Sequence, residues 1–264
     1  MNEFEKETAK EIAKQVPIKD IYEDGAKKSV KATGDIVSLV PRAIKAALNP
    51  LSMWIMHKEY NLAATEKLLE DKLSNVSSED IVPPEPYVAV PALQAISYSM
   101  DSEELRDMYA NLLANSMNRN TAKDVHPAFV EIIKQLKPLD ALVFKTIMDI
   151  DDSIMCAKIL FGKSSERNKC LSNAMPDLFV IELYDLADPF EVSASLQNLE
   201  RLKLISIIDA GLKHDYENIF GNNEYVLNRF DDMRQACADI DAIGVIKKTI
   251  SQNNFGGNFA KICL

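Results

Sequence analysis

At 264 residues the chain is long enough for one large domain or two ordinary ones, each with its own core. Hydrophobic residues at 47% and charged residues at 27% are close to globular averages, which argues against wholesale disorder. The net charge of −10 argues against a nonspecific nucleic-acid binder, because phosphate binding needs a basic face. Cys156, Cys170, Cys237 and Cys263 are widely spaced and form no C-x-x-C pair. They read as reduced, mostly buried thiols rather than a disulfide framework. The N-terminus, MNEFEKETAKEIAKQV, has no apolar core and is not a secretory signal, so a cytoplasmic location is expected.

Residues 3–16 read as a charged helix with Phe4, Ile12 and Val16 as its few apolar anchors. Residues 25–60 differ in kind. They are rich in Ala, Val, Leu, Ile and Met and are interrupted by Pro41 and Pro50. Six basic residues against Asp35 and Glu59 leave a net +4 here, in an otherwise acidic protein. Such a segment could lie on a membrane surface, anchored by Trp54, as a peripheral contact. Charges and prolines break every window of the ~20 apolar residues a spanning helix needs. The favoured reading is a kinked, mostly buried helix pair that also promotes self-association.

A helix is predicted over residues 61–75. Pro83, Pro84, Pro86 and Pro91 then suggest an extended, semi-rigid connector, followed by a helix at about 91–99. The next stretch, DSEELRDMYANLLANSMNRNTAKDVHPAFVEIIKQL, is the most informative in the chain. Asp101 and Glu104 have capping-box spacing, and Leu105, Met108, Tyr109, Leu112, Leu113 and Ser116 mark one buried helical face. Pro127 suits the first turn of a second helix whose apolar side is Phe129, Ile132, Ile133 and Leu136.

The wording of EELRDMYANLLANSM, followed by VHPAFVEIIKQLKPLDA, resembles the abortive infection alpha (Abi-alpha) family of bacterial proteins. The resemblance reaches back through KLLEDKLSNVSSEDIVPPEPYVAVPALQAISYSMD and covers about residues 20–150, with weaker similarity beyond. It implies a role in defence against bacteriophage. It brings no reaction, cofactor or catalytic residue.

The second half has another rhythm. LDALVFKTIMDI reads as a helix, and FEVSASLQNLERLKLISII as a helix running into a strand. EYVLNRF suggests a further strand, and VIKKTISQNNFGGNFAKICL a strand, a Gly-Gly break and a short helix. This order resembles a winged helix. Residues 182–264 carry 13 acidic and 8 basic residues, a net of −5, and the only cations of VSASLQNLERLK lie at its C-terminal end. Base-reading side chains usually lie near the other end, so a protein-contacting winged helix is the better reading.

Several chemical signatures fail on inspection. Gly162-Lys163-Ser164 lacks the phosphate-loop glycine five residues earlier, where Ala157 stands in a segment that reads as helix. Asp177 and Glu182 resemble the acidic pair of restriction-type nucleases, but Tyr184 occupies the lysine position. His57, His126 and His214 have no acidic or thiol neighbours at metal spacing, so no metal site is expected. The sharpest enzymatic alternative is Arg119-Asn120 with His126, which resembles the R-x(4–6)-H signature of HEPN ribonucleases. There His would act on a 2′-hydroxyl or leaving group while Arg stabilises phosphorane charge. Pro127, directly after His126, favours a helix-capping role instead. Glu104, Arg106 and Asn111 on the polar side of the first motif helix are, with Trp54, candidates for contacts with another subunit.

The chain therefore reads as a mainly α protein. A multi-helical Abi-alpha-like domain over 1–137 precedes a small α+β, winged-helix-like domain over 138–264. The expected activity is that of a non-enzymatic sensor or effector working through protein contacts and self-association as a homo-oligomer. Two alternatives stand beside it, a metal-independent HEPN-like ribonuclease and a membrane-acting toxin using residues 25–60. No cofactor is expected, the protein partner is unknown, and nucleic acid is disfavoured.

Overall fold

A computed structural model describes residues 39–48, 62–98, 102–150, 153–163, 170–171 and 174–264. The expected helix at 3–16, Trp54 and His57 lie outside the described residues. Among the described residues the protein is mainly helical with one small antiparallel sheet, as its sequence predicts. Two compact units can be distinguished: Met1–Tyr98 with Tyr109–Val130, and Ser99–Met108 with Glu131–Leu264.

In the first unit, α1 (Leu39–Leu48) carries Pro41 in its first turn, where the missing N–H would lack a helical partner anyway. Its apolar side, Ile44, Ala47 and Leu48, is buried, while Arg42 and Lys45 are exposed. It packs against α2 (Leu62–Leu73), which buries Leu69 and Leu73. The proline-rich stretch departs from expectation. Helix α3 (Pro86–Tyr98) begins at Pro86 and contains Pro91, so the extended connector is far shorter than the prolines suggest. Pro86 fits the first helical position, and Glu85 accepts from the N–H groups of Val88 and Ala89. Pro91 has no N–H to donate and its ring crowds the carbonyl four residues back, a cost set against the burial of Val88, Ala89, Ala92, Leu93 and Ile96.

Helix α4 (Glu103–Met117) follows the predicted register, with Met108, Tyr109, Leu112, Leu113 and Ser116 all buried. The buried Ser116 hydroxyl donates to the Leu113 carbonyl at 2.7 Å, so it carries no unmet polar demand. Its cap lies one residue later than the spacing suggests. Ser102 Oγ accepts from Leu105 N–H at 3.3 Å and donates to Glu104 at 3.0 Å. Helix α5 (Ala128–Ile133) then buries Phe129, Val130, Ile132 and Ile133.

The second unit is organised around a sheet of order β2-β1-β4-β3. Helix α6 (Pro138–Asp149) leads into β1 (Ile154–Gly162), with the two-residue β2 (Cys170–Leu171) on its outer side. Helix α7 (Pro189–Arg201) runs into β3 (Ile205–Ile208), and β4 (Ala242–Gln252) lies between β3 and β1. Ala157, expected in a helix, stands in β1 instead. Its alternating burial face carries Ala157, Ile159 and Phe161 into a core with Phe179, Tyr216 and Phe220.

Between β3 and β4 the chain builds two helices, α8 (Tyr216–Gly221) and α9 (Glu224–Ala236). The second corrects the strand expected at EYVLNRF. Val226 and Phe230 are four residues apart and turn toward the same core as Tyr225, while Glu224, Leu227, Asn228 and Asp231 are exposed. Asn223 caps the helix by accepting from the N–H groups of Tyr225 and Val226.

The Gly-Gly pair is a second correction, since it lies inside α10 (Asn254–Cys263) rather than breaking it. A Cβ on Gly256 would fall 1.8 Å from the Leu204 carbonyl oxygen, whereas one on Gly257 would meet nothing within 4 Å. Close approach of two backbones, not a turn, explains the first glycine. Gly256→Ala is therefore expected to lower stability by about 3 kcal/mol, while Gly257→Ala gains roughly 0.5–1 kcal/mol from helix propensity. Urea unfolding midpoints of the two variants should move in opposite directions.

Candidate functional site in the loop between α4 and α5

The residues with the sharpest chemical reading lie in the polar loop that leaves α4. Asn118 makes an antiparallel bridge with Ile81, and Val82 N–H donates to the Met117 carbonyl at 2.8 Å. Asn118 then turns the chain: its side-chain oxygen accepts from Asn120 N–H at 3.0 Å, and its carbonyl accepts from Thr121 and Ala122. Thr121 Oγ1 donates back to the Asn115 carbonyl at 2.9 Å, fastening the loop to the end of α4.

Each predicted residue has a partner within this scaffold. Arg119 donates its backbone N–H to the Asp80 carbonyl at 2.9 Å and sets its guanidinium 3.9 Å from the Asp80 carboxylate. Both side chains are substantially exposed, so the ion pair contributes about 1 kcal/mol at most. Asn120 is exposed at the tip of the turn. His126 Nδ1 accepts from Ala128 N–H at 3.1 Å, its carbonyl accepts from Phe129 N–H at 3.0 Å, and its ring lies 5.9 Å from that of Phe129. In its neutral form the ring therefore carries its proton on Nε2. Asp80, Asn118 and Thr121 were not singled out by motif reasoning. The Asn-Arg-Asn-Thr run of turn formers was the signal available for two of them.

The other candidates are dispersed. Glu104 is exposed at the start of α4, Arg106 is partly buried, and the Asn111 carbonyl accepts from the Asn115 side chain at 3.0 Å. Asp177 is held by Lys158 at 2.6 Å, and Glu182 is exposed in the one-turn helix Ile181–Leu183. His214 is exposed. Among the described residues no three His, Cys, Asp or Glu side chains are placed to hold a metal ion.

The cations of the sheet all stand beside carboxylates. Lys163 lies 3.5 Å from Asp239, Lys247 lies 3.1 Å from Glu217, and Lys248 bonds Asp209. The hydrogen bond from Lys247 holds the Glu217 carboxyl below its ordinary 4.5, so that contact persists at neutral pH and is lost on acidification through the lowered value. Burial raises the Tyr225 phenol above its usual range. No helix among the described residues is long and apolar enough to cross a membrane.

Residues 57–263, well over half of the chain, match the family model described as abortive infection alpha. The chain belongs to that family. The match starts later than the resemblance in the sequence suggested and extends through the sheet to the last helix, so the Abi-alpha unit includes both halves described above. No curated protein and no solved structure matches the chain. Membership ties this fold to abortive infection.

Thiol chemistry offers a direct check of the packing. Burial pushes Cys156 up to about 12 and raises Cys263 well above the usual thiol value, whereas Cys237 is exposed at the end of α9. Because the thiolate is the nucleophile, maleimide labelling of the native protein followed by peptide mapping should modify Cys237 while Cys156 and Cys263 react only after unfolding. Rapid native labelling of Cys156 would contradict the packing of β1.

Proposed function

We propose that this Abi-alpha protein defends bacteria against bacteriophage as a non-enzymatic sensor or effector, working through protein contacts and self-association. The observation that carries this reading is that both reactive-looking residues of the α4–α5 loop serve its architecture. Arg119 is tied to Asp80, and His126 supplies a helix-capping acceptor. An imidazole nitrogen that accepts a backbone N–H has a sufficient structural reason to be there.

The second unit supports the same reading. The run of helix α6, β1, helix α7, β3 and β4, with β4 between β1 and β3, supports a winged-helix-like reading in which α8 and α9 would take the place of the wing. The exposed side of α7 presents Phe190, Glu191, Ala194, Gln197 and Arg201, and Arg201 already donates to Gln135 and Asn198. An exposed helix side with one carboxylate, one occupied cation and an aromatic suits a protein surface better than phosphate.

Phage challenge of cells expressing His126→Asn and His126→Ala at matched abundance tests the proposal. Asparagine can cap a helix but cannot perform imidazole acid–base chemistry. Protection within about twofold of wild type is expected for His126→Asn, with His126→Ala weakened by about 1 kcal/mol of lost stability. If both variants lose protection while keeping wild-type melting temperatures, the HEPN-like ribonuclease reading replaces this one.

A further inference from the structure

One face of the sheet is covered along only part of its length. Side chains that stand opposite each other in an antiparallel ladder share a face, so Cys156 with Lys248, Lys158 with Ile246 and Leu160 with Gly244 lie on one side of β1 and β4. The other side carries Ile159 and Phe161 into the core around Phe179. On the first side Cys156 is fully buried. Two residue pairs further along the ladder that cover ends. Ile246 is 46% exposed, Gly244 is exposed and Leu160 is half-buried.

The charges that border this open stretch are arranged asymmetrically. Lys158 and Lys248 are recessed, with side chains 29% and 20% exposed, while their partners Asp177 and Asp209 project, at 56% and 83%. The lysine stems lie along the sheet and the carboxylates face outward. Glu182, whose charge acts on the Cys156 thiol of the same face, is exposed as well. An apolar centre with a polar rim has the anatomy of a protein interface. The rim here presents carboxylates, so it repels phosphate and anionic lipid headgroups and complements a cationic partner.

We infer that the open half of this sheet face, centred on Ile246, docks a basic amphipathic segment of a partner protein. The partner's apolar stripe covers Ile246 and Leu160, and its flanking Lys or Arg side chains meet Asp177 and Asp209. This rests on the protein contacts proposed above and gives them a surface and a partner chemistry.

Fluorescence anisotropy of the full chain tests it with a labelled amphipathic helical peptide of Leu and Lys, beside a second peptide in which Glu replaces every Lys. The Lys peptide should bind, with an affinity that falls as salt rises, and the Glu peptide should not. Ile246→Ser should weaken binding at least about tenfold, and Asp177→Asn combined with Asp209→Asn by a similar factor. Ile208→Ser is the control. Ile208 is 47% exposed but pairs with Thr249, on the opposite face, so its replacement should change affinity by less than about twofold. Circular dichroism verifies each fold. A Lys peptide that does not bind, or that binds Ile246→Ser as tightly as wild type, overturns this docking surface. The reading of the protein as non-enzymatic is decided separately, by the protection that the His126 variants confer.

Discussion

Pairing of β1 with β4 is the constraint on which the second unit depends. Nine residue pairs run from Ile154↔Ile250 to Gly162↔Ala242, joining segments about 80 residues apart in the chain. Closing so long a loop costs about 4 kcal/mol on the (3/2)RT ln n scaling. Burial of Ile159, Phe161, Phe179 and Phe220 offsets that cost, since each large apolar side chain contributes about 1.5–3 kcal/mol on leaving water. The helices inserted between β3 and β4 have no independent core. They fold onto the sheet, and Tyr216 marks the junction: its buried hydroxyl accepts from Leu212 N–H and donates to the Lys248 carbonyl of β4.

Polar side chains then fix how the helices meet the end of that sheet. Gln252 donates to the carbonyls of Ile147 and Ile150 at the C-terminal end of α6, where backbone acceptors lack helical partners. Asn253, the next residue, accepts from Gly256 N–H to cap α10 and donates to the Lys203 carbonyl and Ser206 Oγ. Lys203 has φ 62°, and the bonds from Leu204 to Leu199 and from Lys203 to Glu200 form a Schellman motif where glycine is the usual choice. Buried Asp140 accepts from Lys137 N–H and from the Asn198 side chain, tying α7 to the start of α6. Such groups would be costly if left unmet in the interior, so these contacts select one arrangement of helices over others of similar apolar burial.

How much of this was legible depended on whether the deciding force was local. Helix α4 was readable because its apolar residues repeat at helical spacing, and all but Leu105 of the predicted face are buried. The α7-to-β3 step was readable for the same reason. Residues EYVLNRF misled because Tyr, Val and Phe favour strands in isolation, while here their helical spacing against Phe161 and Phe179 decides. The start of α3 was hidden because a proline at a helix N-terminus and a proline in a connector look alike until burial is known. Gly256 could not be understood locally, since the group it avoids is the carbonyl of Leu204, 52 positions away. The candidate site was half legible. His126 as a capping residue was anticipated, but Asp80, which holds Arg119, lies in a different segment with no motif linking the two.

The same distinction bears on what kind of surface this fold can offer. Lys158 and Lys163 lie in and just after β1, and Lys247 and Lys248 lie in β4, the strand paired with it. In three dimensions each stands beside a carboxylate supplied by another element: Asp177, Asp239, Glu217 and Asp209. A phosphate approaching any of these lysines would have to displace its carboxylate and would exchange one ion pair for another, while the net negative charge of the chain opposed its approach. A protein surface faces no such exchange, because apolar area and main-chain hydrogen bonds can provide the affinity while the charges set orientation. Acidity and paired lysines therefore bear in the same direction on the protein contacts proposed above, because neither leaves phosphate a ready counter-charge on these strands.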